Sequence, residues 1–153
     1  MTLGPNSTST LLTTEQFLAA DNRFSSFMSA LAVTFPLGTK LEAPFGETFT
    51  VFAPTNAAFD KLTRKSLIWL LGNRRALTKV LLKHVVAGSA VRIPAGYSKV
   101  KTMGGSRITL HRYVDGDVGE VVEVRTSSGA AKLEQFGILT ADGVVHAIDT
   151  LIL

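Results

Sequence analysis

The apolar positions change their period partway along the chain. As far as about residue 86 they mostly recur every three or four residues, the spacing of helices with one apolar face; beyond about residue 91 they alternate, the spacing of strands. Phe24, Phe27, Met28 and Leu31 follow the i, i+3, i+4, i+7 pattern and predict a helix face buried as core. Thr13 or Thr14 suits the cap of a preceding helix over Glu15 to Ala20, and Asp21 the cap of the second. Thr34 to Gly46 carries Pro36, Gly38, Pro44 and Gly46 and reads as a loop, unusually apolar through Phe35, Leu37, Leu41 and Phe45.

One early stretch breaks the helical period. From Thr48 to Ala53, Phe49, Val51 and Ala53 alternate with Thr48, Thr50 and Phe52, which predicts a strand. Pro54 lacks a backbone donor and is expected to end it. Thr55 or Asn56 then caps a short helix whose apolar side is Ala57, Ala58, Phe59 and Leu62. Farther on, Ser66 is expected to cap Leu67 to Leu71, with Gly72 ending that helix. Asn73 caps the next, predicted from Arg74 to about Val86, with Leu77, Val80, Leu81 and His84 on one face and a solvated stripe of Arg75, Lys79 and Lys83 on another.

The second half predicts strands over Val91–Ile93, Lys99–Thr102, Arg107–Val114, Val118–Arg125, Ala131–Glu134, Ile138–Thr140 and Val144–Leu153. Gly104-Gly105, Asp115-Gly116, Ser128-Gly129 and Asp142-Gly143 mark the turns between them. Helices first and strands later give an α+β domain, a helical layer packed on a largely antiparallel sheet or wedge. It is expected to be a single domain over residues 14–153 behind a flexible Ser/Thr-rich leader at 1–13.

Composition narrows the function classes. The chain has 153 residues, 46% of them hydrophobic, and a mean hydropathy of +0.26, which suits a sizeable core and excludes disorder. Its apolar runs are too short to cross a bilayer. Residues 1–13 lack the basic start and apolar centre of a signal peptide, and Asn6-Ser7-Thr8 forms a glycosylation sequon. With no cysteine, disulfides, thiol catalysis and cysteine metal sites are excluded. A net charge of +4 and a pI near 9.6 favour acidic surfaces. No basic cluster interleaved with aromatics supports nucleic-acid binding.

No catalytic or metal constellation is visible. His84, His111 and His146 lack zinc-site spacing. A Gly-x-Ser-x-Gly elbow is missing, Asp115-Gly-Asp117 reads as a turn, and Gly104-Gly105-Ser106 lacks the lysine of a phosphate loop. His146 and Asp149 are expected to tie backbone where the last strand meets the early strand–helix corner, and His84 on its apolar stripe needs a hydrogen-bond partner.

Three stretches carry a resemblance. Thr50-Val51-Phe52-Ala53-Pro54-Thr55-Asn56 with Ala58-Phe59, then Leu81-Leu82-Lys83-His84-Val85-Val86, then Gly143-Val144-Val145-His146-Ala147-Ile148-Asp149 resemble, in order and spacing, the motifs of the fasciclin-like (FAS1) domain family. The resemblance implies a FAS1-like wedge and a non-catalytic adhesion, matrix-binding or cell-surface module, secreted or extracellular, whose partner is an extracellular protein or receptor. Pro54, Thr55, Asn56, His146 and Asp149 would be its structural motif residues. In several adhesive members a Tyr-His pair with apolar flanks is linked to integrin binding, which implies a partner-binding segment of Leu81, Leu82, Lys83, His84 and Val85. Here Lys83 stands in place of the tyrosine and removes an aromatic anchor. Some microalgal members bind carotenoids, so the alternative is a carrier of an apolar small molecule, consistent with Trp69 and the phenylalanines. No other cofactor is expected.

Overall fold

A computed structural model describes residues 12–34, 48–88, 93–126, 129–141 and 143–153. The predicted leader up to residue 11, with its sequon, the apolar loop over 35–46 and the start of the strand predicted at Val91 lie outside the described residues; of the leader, Thr13 caps the first helix and Leu12 accepts from the Ala141 N–H, and Thr34, expected in the loop, ends the helix before it.

The order is α1 (Thr14–Ala20), a 3₁₀ turn (Asn22–Phe24), α2 (Ser25–Thr34), β1 (Thr48–Pro54), α3 (Asn56–Asp60), α4 (Arg64–Leu71), α5 (Arg74–Leu82), β2 (Val85–Gly88), β3 (Gly96–Lys101), β4 (Arg107–Asp115), β5 (Gly119–Thr126), β6 (Gly129–Thr140) and β7 (Gly143–Ile148). The seven strands form one sheet in the order β2-β1-β7-β6-β5-β4-β3. Every pairing is antiparallel except β1 with β7, which runs parallel from Phe49↔Gly143 to Pro54↔Ile148. This is the α+β wedge that the pattern predicts.

Two cores fill the wedge. Beneath the helices, Leu18, Phe24, Phe27 and Leu31 pack with Leu77 and Leu81 against Val51, Ala53, Val145 and Ala147. On the other face of the same strands, Phe52 and Ile148 pack with Ile108, Leu110, Val122 and Val124. Alternate residues of β1 and β7 therefore serve opposite cores, and all six residues of β7 are buried.

Several boundaries move from their predicted places, each for a physical reason. The helix expected to reach Val86 stops at Leu82. The β-branched pair Val85-Val86 instead joins the sheet edge opposite Val51 and Thr50. The freed helix end is satisfied by the β3–β4 turn: the Gly104 N–H donates to the Leu82 carbonyl at 3.1 Å and the Met103 N–H to the Val85 carbonyl at 2.7 Å. A side chain there would be tight, because a Cβ on Gly104 would lie 3.1 Å from the Lys83 nitrogen. The helix predicted to start at Ser66 starts at Arg64, because Thr63 is its cap and accepts from the Ser66 N–H at 3.1 Å. Pro54 ends β1 as expected: it is the last residue, in register with Ile148, and the next donor, Thr55 N–H, reaches the Ile148 carbonyl at 3.1 Å.

The two short strands expected at Ala131 and Ile138 are one strand, β6, with register shifts between Leu133 and Ile138. Gly137, at φ +77, absorbs the irregularity. The last strand stops at Ile148, and residues 149–153 leave the sheet with Leu151 and Ile152 buried. The strand expected from Lys99 begins at Gly96.

Candidate functional site

The three motif stretches converge where β1, β7 and the end of α5 meet. Thr55 is 4% exposed and caps α3, accepting from the Ala58 N–H. Asn56 faces the other way and serves a different helix. Its Oδ1 accepts from the Ser26 N–H at 2.9 Å, and its Nδ2 donates to the Asn22 carbonyl at 2.9 Å and to Ser25 Oγ at 3.0 Å. One side chain thus satisfies a free donor at the start of α2 and holds the 3₁₀ turn before it. Asn56→Ala is expected to lower stability by about 2 kcal/mol, read as a lower urea midpoint with the slope unchanged.

His84 sits just beyond α5 and is fully buried. Its Nδ1 lies 2.8 Å from the Val80 carbonyl and its Nε2 3.0 Å from the Ile152 N–H. A carbonyl only accepts and an amide only donates, so the ring is neutral with its proton on Nδ1. Burial is the main cause that pushes its pKa down to about 4; the bond to Val80 opposes this and the charge of Lys83 adds to it. Phe27 packs against the ring at 6.3 Å between centroids. His84 therefore links the end of α5 to the terminal segment 149–153. Its own carbonyl accepts from the Phe52 N–H at 2.7 Å, adding β1 to the same junction.

His146 is 2% exposed; its Nδ1 accepts from the Gly137 N–H at 3.0 Å and its ring lies 5.3 Å from that of Phe52. It holds the irregular part of β6. Asp149, beyond the strand, accepts from the Lys132 N–H at 2.8 Å, while its own N–H donates to the Lys132 carbonyl at 3.0 Å. Both residues tie backbone, but that of β6 rather than that of the early corner. Lys61 reaches over from α3 to Thr150 Oγ1 at 2.9 Å and to Asp149 at 3.6 Å.

In the predicted partner-binding segment, Leu81, His84 and Val85 are buried, and Leu82 and Lys83 are partly exposed. His111 lies elsewhere, on β4, stacked between Tyr97 at 4.0 Å and Tyr113 at 4.6 Å. The three histidine rings pack on different aromatic side chains: His84 on Phe27, His146 on Phe52 and His111 on Tyr97 and Tyr113. Among the described residues no group of three or more His, Cys, Asp or Glu could hold a metal ion, and no helix is long and apolar enough to cross a membrane.

Among the described residues, α4 exposes three large apolar side chains within four positions: Ile68, Trp69 and Leu71 are 62%, 61% and 49% exposed. Beside Trp69, Leu62, Leu70, Val80 and Leu153 line an open groove of about 470 Å³, with Lys65 and Ser66 at its edge. The exposure of Ile68 and Leu71 beside Trp69 is not among the expectations drawn from the sequence. The available signal was the run Leu67 to Leu71: five apolar residues at about 100° per residue surround a helix and cannot all face inward.

The model of the fasciclin domain matches residues 22–153. The chain is 29% identical over 141 residues to transforming growth factor-beta-induced protein ig-h3 of Sus scrofa, covering 91% of this chain and 19% of that protein. It is 34% identical over 110 residues to the cell surface glycolipoprotein MPB83 of Mycobacterium bovis, covering 71% of this chain and 44% of that one. The fold is similar, at a TM-score of 0.70 and 16% identity, to a FAS1 domain pair from the insect cell adhesion molecule fasciclin I, covering 86% of this chain and 45% of that one. The chain thus spans about a fifth of ig-h3 and under half of the other two.

Proposed function

This chain belongs to the fasciclin domain family, and from that premise we propose that it is a non-catalytic recognition module, secreted or held at a cell surface, whose partner is an extracellular protein or receptor. One observation carries the reading. The polar side chains of the shared motifs are engaged in holding main chain in place: Thr55 and Asn56 at helix starts, His84 at Val80 and Ile152, His146 at Gly137 and Asp149 at Lys132. Residues so engaged stabilise a scaffold and leave recognition to its surface. Within the segment Leu81 to Val85, contact with a partner falls to Lys83 and Leu82.

A surface coated with the protein is expected to retain cells or extracellular proteins better than one coated with an unrelated basic protein of equal pI. Lys83→Ala, which breaks no side-chain hydrogen bond among the described residues, is expected to weaken that attachment by about fivefold. Retention equal to the basic control would overturn the reading.

A second reading, a carrier of an apolar small molecule such as a carotenoid, is supported by the α4 groove. Its volume of about 470 Å³ and mostly apolar lining fall in the range of small-molecule sites, roughly 300–1,000 Å³. Protein purified colourless from carotenoid-producing cells would count against it.

A further inference from the structure

The charge of the chain is not spread evenly. Between residues 61 and 83 there are seven lysines and arginines and no aspartate or glutamate. The whole chain holds 16 basic and 12 acidic residues, so this stretch alone carries +7 against a total of +4. It contains α4, α5 and the Gly72-Asn73 turn that joins them. Among the described residues, no aspartate or glutamate pairs with Arg64, Lys65, Arg74, Arg75 or Lys79.

The exposed Ile68, Trp69 and Leu71 lie within this same stretch. On α4, Arg64, Ile68 and Leu71 share one line of the helix and Lys65 and Trp69 an adjacent one, by the three- and four-residue spacing. Arg74 and Arg75 begin the next helix three residues beyond Leu71. The result is an exposed apolar ridge with cations on the same helix and at the start of the next.

Each half of this pattern narrows the partner. A soluble polyanion would satisfy the cations but would leave Ile68 and Leu71 in water. A neutral apolar partner would cover the ridge but would desolvate the cations beside it. A surface with anionic headgroups above hydrocarbon suits both, with tryptophan at the boundary and arginine and lysine among the headgroups.

We propose that the α4–α5 hairpin docks on anionic lipid surfaces, inserting Ile68, Trp69 and Leu71 between headgroups that are held by Arg64, Lys65, Arg74 and Arg75. Docking is peripheral: the ridge is a few side chains on a helix of eight residues, so the attraction depends on charge as well as burial.

Trp69 is the only tryptophan of the chain, so its emission reports on this ridge alone. Adding phosphatidylglycerol–phosphatidylcholine vesicles to the full chain at low salt is expected to shift the emission to the blue and raise its intensity. Phosphatidylcholine alone is expected to bind at least about tenfold more weakly, and 0.5 M NaCl is expected to reduce anionic-vesicle binding by a similar factor. The Arg74→Glu/Arg75→Glu variant, altered only at exposed positions, is expected to lose binding to anionic vesicles. Ile68→Ser is expected to remain attracted at low salt with a smaller blue shift. An unshifted emission with anionic vesicles, equal shifts on both vesicle types, or equally tight binding to soluble polyphosphate would each overturn the proposal. So would a concentration-dependent dimer that buries Trp69 without lipid.

Discussion

His84→Ala is expected to lower the free energy of unfolding by about 4 kcal/mol, the largest effect of any single substitution considered. Removing the ring leaves the Ile152 N–H without the partner it has now, while the Val80 carbonyl loses one of two donors and keeps the Lys83 N–H at 3.1 Å. Each buried group left unpaired costs about 1–3 kcal/mol. The ring also fills space beside Phe27 at a site with no solvent exposure, so a cavity adds to the loss. Thermal melting is expected to fall by roughly 10 °C for a domain of this size. A loss under about 1 kcal/mol would mean that the ring does not join the end of α5 to segment 149–153. Because no part of His84 reaches solvent, any loss of attachment in this variant is expected to track the unfolded fraction and to recover on cooling.

The second large effect is of pH. The folded-state pKa of His84 is about 4, below its ordinary value of 6.5, so the unfolded chain binds a proton that the folded chain refuses. Stability is then complete above the unfolded value and is lost as pH falls from about 6.5 toward 4. The slope approaches about 1.4 kcal/mol per pH unit, and the total is about 3 kcal/mol. Other groups act lower in pH. Arg23 beside Asp21 and Arg112 beside Glu120 hold those carboxyls below their ordinary values, so their contribution persists above the usual carboxylate range and falls only in stronger acid. Urea unfolding at half-unit steps of pH is expected to show the loss in the wild type and its absence in His84→Ala. A slope that survives the substitution would assign the proton to another group.

What the sequence revealed and what it concealed follow one division. Features set by neighbours along the chain were legible: the apolar face of Phe24, Phe27 and Leu31, the strand-to-helix corner at Pro54, the cap at Asn73 and the Asp115 turn. Features set by distant parts were not. The β-branched Val85-Val86 pair lies close to the end of α5, but the donor that satisfies the Leu82 carbonyl comes from distant Gly104. Gly137 gave no warning of its role within a continuous β6, because the acceptor for its N–H is His146, on the next strand. In the site itself, the motif residues were legible as structural, but their partners were not. Asn56 could be seen as a capping residue; that it serves α2 rather than its own helix depends on a contact spanning 30 residues. The ridge on α4 was hidden by the habit of reading apolar runs as core, although Leu67 to Leu71 could not all be buried.

The long strand β6 has a further consequence. Its first residues pair with β5 and its later ones with β7, so a single length of backbone borders both cores. Neither half of the wedge can open without pulling on the other. The amides of β6 and β7 therefore belong to one cooperative unit, whose hydrogens exchange with solvent only when the whole domain unfolds.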